Sequence, residues 1–104
     1  MDPRFSEWMA AAGGDAASIH SVVSRLDRVE SVYGDLDVAF DQDRFAALLG
    51  DLTYSTADGR SGVPNPSRIT INGDLYSGLA SLRSAINQYR AFLDQRDGVL
   101  TADT

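Results

Sequence analysis

Cysteine and lysine are both missing from these 104 residues, and histidine occurs once, as His20. Without Cys the chain has no disulfides, no thiolate zinc site and no thiol nucleophile. Without Lys it cannot carry the lysine of a Walker phosphate loop, and with one His a zinc site would rest on carboxylates alone. No apolar run approaches the ~18 residues of a bilayer span. Met1-Asp2-Pro3-Arg4 lacks the basic start and apolar stretch of a secretory signal, so no membrane contact is expected and the cytoplasm is the expected location. The length suits one compact domain with one core, too small for a catalytic barrel or a doubly wound nucleotide fold.

What remains reads as helices separated by short breaks. Asp2-Pro3 is a helix-start pair, since Asp accepts from orphan N–H groups and Pro at the first position wastes no donor. A first helix is expected to end at Gly13-Gly14, with Phe5, Trp8, Met9 and Ala12 on one stripe and Trp8 as its anchor. A second runs from Asp15 to Tyr33, with Ile19, Val22, Val23, Leu26, Val29 and Tyr33 at helical spacing and Gly34 as its stop. Residues 35–43 read as a connector with room for a helical turn. Asp41 then caps a third helix that carries Phe45, Leu48, Leu49 and Leu52 and ends near Tyr54.

Two of the three prolines fall in residues 55–71, which also hold two glycines and show no helical stripe. Loops longer than about 12 to 15 residues in a small domain are usually functional or mobile, so this one is a candidate contact surface. Its end, Arg68-Ile69-Thr70-Ile71, is expected to be extended and packed on helices, since a lone strand has no partner. Asn72 or Asp74 caps a last helix over residues 74–96, whose stripe is Leu75, Leu79, Leu82, Ile86, Tyr89 and Leu93. Asp97-Gly98 is the expected stop, with 99–104 as a loose tail. The expected fold is all-α: one domain over residues 1–104, a bundle of four to five helices with an ordered core over about 3–96.

Charge is unevenly spread. The net charge is -6, but residues 1–55 hold four Arg against ten acids, whereas residues 56–96 hold five Arg against three. Guanidinium groups clamp phosphates through paired donors, and Ser84, Asn87 and Gln88 flank Arg83 and Arg90. Arg60 and Arg68 lie in the loop, so a nucleic-acid contact on this face is one reading; a solvated face with internal Asp partners is the plainer one. In the acidic half, Asp35, Asp37, Asp41 and Asp43 are either helix caps or a patch for a basic protein surface. They do not make a calcium loop, because counting from Asp35 puts Phe40 and Ala46 where Gly and Glu are needed. His20, beside Ile19, is expected to be partly buried or capping. Ser18, Ser21 and Ser24 near it lack a nucleophile elbow. No catalytic residues, metal or cofactor are expected. Of the four tyrosines, Tyr33, Tyr76 and Tyr89 belong to the core by spacing, and Tyr54, at the entry to the loop, is the candidate base-stacking residue.

Ser21-Val22-Val23-Ser24-Arg25-Leu26-Asp27-Arg28-Val29-Glu30 and the run from Leu79 to Leu93, with the Trp-bearing first helix, resemble the helical core-binding (SAM-like) domain of tyrosine recombinases. They are also similar to helical modules attached to restriction-type nucleases. In such proteins a SALRxYxxFL-like helix ends the domain; here it reads Ser81-Leu82-Arg83-Ser84-Ala85-Ile86-Asn87-Gln88-Tyr89-Arg90-Ala91-Phe92-Leu93. The resemblance covers about residues 5–95 and implies a helical bundle that grips duplex DNA, with catalysis in a separate domain. By position it assigns Arg25, Arg28, Arg83 and Arg90 as phosphate contacts. The net acidity and the long loop depart from that pattern. The expectation is therefore a non-catalytic binding module for nucleic acid or a nucleoprotein complex of a mobile-element or defence system. The alternative is an acidic inhibitor or adaptor, of phage or mobile-element type, that occupies a basic groove of a partner. A dimer that buries an apolar stripe against a second copy is a third reading.

Overall fold

Six helices and no strand make up the described residues of the computed structural model, which describes residues 1–102, of which 97–102 are described by their backbone alone. The helices are α1 (Phe5–Ala11), α2 (Ala16–Tyr33), α3 (Leu36–Asp43), α4 (Ala46–Asp51), α5 (Thr56–Arg60) and α6 (Leu75–Ala102). The all-α class agrees with the sequence reading. The helix count is higher because the connector and the long loop each fold a short helix of their own.

α2 and α6 are the central pair, and α1 lies against both. α2 starts where the sequence places it, with the Asp15 carboxylate accepting from Ser18 N at 2.7 Å. It ends at Gly34, whose φ of 91° a side chain would strain. α6 starts on Asp74, whose carboxylate accepts from Ser77 N at 2.9 Å. At 28 residues it runs on the order of 42 Å. It continues past Asp97-Gly98 instead of stopping there; residues 103–104 of the expected tail lie outside the described residues. An isolated Gly costs a helix only about 1 kcal/mol relative to Ala, too little to end one by itself.

The connector forms α3 because Leu36 and Phe40, one turn apart, both reach the core, and Asp35 caps them by accepting from Asp37 N at 2.8 Å. Asp41 lies inside α3, so it caps nothing. The backbone instead breaks at Arg44 and Phe45, both left-handed with φ of 55° and 70°, and the Asp43 carboxylate accepts from Ala47 N at 3.0 Å at the start of α4. Left-handed residues other than Gly cost about 1–2 kcal/mol each. Phe45 is fully buried, with its ring 5.6 Å from Phe40 and 6.4 Å from Tyr89. Burying such a ring stabilises by about 1.5–3 kcal/mol, enough to hold most of that strain.

α5 is set by Ser55 and Asp58, each accepting from the other's backbone N–H in a capping box. Residues 61–74 then form an irregular strap. Ile69 is buried and Ile71 packs against α6, so the Arg68–Ile71 stretch lies on helices without pairing as a strand, as expected of a strand-like stretch with no partner. Gly78 is the seat for Ile71: a Cβ there would stand 2.5 Å from Ile71 Cγ2.

The N-terminal turn is tied to α6 rather than capped by Asp2. α1 has no side-chain cap, and its helix begins two residues after Pro3. The buried Asp2 carboxylate accepts from Arg4 N at 2.9 Å and pairs with the Arg4 and Arg96 guanidinium groups at 2.7 and 3.2 Å. The Asp2 N–H donates to the Tyr89 hydroxyl at 2.6 Å, and that hydroxyl donates to the Asp37 carboxylate. The Arg4 bonds hold the Asp2 carboxyl well below the usual carboxylate range, against the opposing effect of its burial. Burial, then the bond to Asp37, pushes the Tyr89 phenol above its ordinary value, so it stays neutral and donates.

Two outcomes are expected. Gly78→Ala should lose about 1 kcal/mol in chemical denaturation although Ala normally gains about that much in a helix, because overpacking costs about 1–3 kcal/mol. Adding Ile71→Ala should remove the clash component. For Asp2, a carboxyl lowered in the folded state contributes stability that is complete above its unfolded pKa of about 3.9 and lost as pH falls below it. Denaturation profiles should therefore show an acid limb below about pH 4. Asp2→Asn should cost about 2–3 kcal/mol at pH 7, the scale of hydrogen bonds to a charged group, and should flatten that limb.

Candidate functional site

The strap and the end of α2 bring two of the expected arginines to one corner. Arg28, exposed on α2, donates Nη2 to the Thr70 carbonyl. The Arg68 guanidinium stacks 5.0 Å above the Tyr33 ring, and its backbone N–H donates to the Tyr33 hydroxyl at 2.9 Å. Tyr33 in turn donates to the Asp51 carboxylate at 3.2 Å. Burial, with Asp51 beside it, holds the Tyr33 phenol above its ordinary value and therefore neutral. Arg25, one turn before Arg28 on α2, is exposed and makes no hydrogen bond or ion pair among the described residues. Two guanidinium groups are thus fixed at the α2–strap corner, and Arg25 lies one helical turn away on α2.

The other expected arginines lie elsewhere. Arg60 is exposed at the end of α5, where a cation also suits the helix dipole. Arg83 is half-buried and donates Nη1 to the Leu52 carbonyl at 2.6 Å, so it closes the C-terminus of α4. Arg90, two turns on along α6, is half-buried and makes no hydrogen bond or ion pair among the described residues. The arginines outside the expected set are internal partners: Arg4 and Arg96 for Asp2, and Arg44 for Asp94 and the face of Phe40.

Two open grooves share Arg68 as a wall. One, of about 440 Å³, is lined by Asn65, Ser67, Arg68, Thr70, Ile71 and Gly73 among others. The second, of about 250 Å³, is bounded by Tyr33, Gln42, Asp43, Asp51 and Arg68 over an apolar floor that includes Leu48. Asp35 and Asp43 are backbone caps, Asp37 holds Tyr89, and only Asp41 of the expected acidic set has no partner among the described residues.

His20 is exposed, not partly buried, in a shallow α1–α2 cleft with Ser6, Glu7 and Ile19. Among the described residues no three His, Cys, Asp or Glu are placed to hold a metal, and no helix is long and apolar enough to cross a membrane. Two tyrosine expectations are reversed. Tyr54 is buried, with its hydroxyl donating to the Val63 carbonyl at 2.6 Å, while Tyr76 is 40% exposed. Tyr33 is the aromatic that serves the corner. Its spacing assigns it to the core stripe; the missed signal is its place as the last residue of α2 before Gly34, from which a phenol reaches past the core edge.

No family model, no curated protein and no solved structure gives a significant match to this chain.

Tyr33→Phe tests the corner directly. Removing the hydroxyl strips Arg68 N–H of its acceptor and should cost about 1 kcal/mol. Hydrogen exchange should show faster exchange at the Arg68 amide while α2 and α6 stay protected.

Proposed function

We propose that the chain is a binding module without catalysis of its own, which contacts the phosphate backbone of nucleic acid through Arg25, Arg28 and Arg68. The observation that carries this reading is the fixing of Arg28 and Arg68 at one corner, one by a carbonyl and the other by an aromatic face. A guanidinium has five N–H donors, so one bond to Thr70 leaves Arg28 free to engage an anion, and stacking leaves the edges of Arg68 open. The resemblance to recombinase core-binding domains points to the same partner through Arg25 and Arg28. Arg83 and Arg90 are secondary contacts in this reading, because Arg83 already serves Leu52.

The acidic-adaptor reading comes second. α3 presents Asp41 beside Val38, which is 53% exposed, a pairing suited to a basic protein surface with an apolar spot. Asp35 and Asp43, however, are committed to backbone N–H groups, as helix caps ordinarily are.

Net charge of -6 opposes polyanions, so binding should be weak and confined to low salt. Fluorescence anisotropy with labelled duplex and single strands at about 50 mM salt should give a Kd near the ~10⁻⁴–10⁻⁶ M range of non-specific contacts. Arg25→Ala and Arg68→Ala should each weaken it several-fold and lower the salt slope by about 1. No affinity at low salt, or affinity indifferent to both substitutions, removes the reading.

A further inference from the structure

We infer that the 440 Å³ groove of the strap receives one unpaired nucleobase, so that the module prefers single-stranded or bulged nucleic acid to an intact duplex; this rests on the phosphate-contact reading above. The groove is open rather than enclosed, so a base would lie in it with one side still in water, whereas a phosphate contact needs no groove at all. The lining suits a base in two respects. Ile71 and Leu75 offer apolar surface for its faces, and Thr70 offers an exposed hydroxyl for its edge. The main-chain N–H groups of Thr70, Ile71, Asn72 and Gly73 have no acceptor among the described residues. Such unpaired donors can read the acceptors of a base, in the way that specific recognition of single strands uses base edges left open by unpairing.

The charge at the groove sets the direction of approach. Arg68 is part of the wall, and Arg28 is bonded to the carbonyl of Thr70, so guanidinium groups border the space where a base would enter. Phosphates on either side of an unstacked base would lie against them. In an intact duplex the base edges stay paired and stacked, so the same arginines would meet phosphates while the groove remained unfilled. Gly73, with φ of 90° and no atom within 4 Å of where a Cβ would stand, leaves the rim open to close approach.

The test uses the full chain and three labelled probes of equal length: an oligothymidine strand, a blunt duplex, and a duplex with one unpaired thymidine. The single strand and the bulged duplex should bind about tenfold more tightly than the blunt duplex at low salt, the equivalent of about 1.4 kcal/mol. Thr70→Leu fills the groove from an exposed position without touching the carbonyl that Arg28 holds. It should abolish that preference and leave duplex affinity unchanged. Amide NMR shifts at residues 70–73 should move with thymidine monophosphate and not with inorganic phosphate at the same concentration. Equal binding of all three probes with no effect of Thr70→Leu overturns the base site while the phosphate reading stands. Absence of binding to every probe overturns both.

Discussion

The hydroxyl of Tyr89 is the one polar group that the core is built around. It lies on the apolar stripe of α6, fully buried, with Phe5, Phe45 and Phe92 around its ring. A buried phenol without partners would forfeit much of what its ring contributes, and here both sides of the oxygen are filled. Asp2 N–H fills one and Asp37 the other, and these two residues come from the turn before α1 and the first turn of α3. One oxygen therefore fixes where both peripheral helices start on the spine. Asp2 then needs cations for its own buried carboxylate, which Arg96 supplies from α6 and Arg4 from the turn itself.

The strap depends on the same spine by a different kind of contact. Its inner side is held by shape, with Ile69 in the core and Ile71 over the bare backbone of Gly78. Its outer side is held by polar groups of α2, Arg28 and Tyr33, and its bend by Asn65, whose amide donates to the Ile69 carbonyl at 2.7 Å. No regular hydrogen-bond ladder is involved. That is why the N–H groups of residues 70–73 have no acceptor among the described residues although the segment is anchored at both edges, a combination of order and unspent donors that a helix or a sheet would not offer.

How much of this was legible in the sequence depends on whether a feature is periodic or not. The stripes of α2 and α6 repeat over many turns, and Val22, Leu26, Leu79, Ile86 and Leu93 are buried as their spacing requires. The break at Arg44 and Phe45 was not legible, because neither residue favours positive φ and only the burial of Phe45 forces it. α5 was hidden by its lack of any buried residue, although Ser55 and Asp58 spell a capping box. At the corner, Arg25 and Arg28 were legible as a helical pair, but the stack of Arg68 on Tyr33 joins residues 35 apart and carries no local signature. Tyr54 and Tyr76 exchanged places for a related reason: spacing names a stripe but not its edges, and at the ends of α4 and α6 the edge decides.

The missing lysine gives the charge distribution its meaning. Every cationic side chain in this sequence is a planar fork, and a fork can hold a carbonyl or a ring and still present N–H groups outward, which an ammonium does less well. Arg83 on the Leu52 carbonyl, Arg28 on Thr70 and Arg68 on Tyr33 all take that form. Counting arginines in residues 56–96 thus overstates the freely available charge and understates its order. Most of the positive charge is fastened to the fold, and a polyanion approaching this acidic molecule would meet Arg25, Arg60 and Arg90, which have no partner among the described residues, and the outward edges of the fastened forks. At the α2–strap corner those forks border a groove, so the charge that remains is small but placed, and placement is what a weakly attracted partner would recognise.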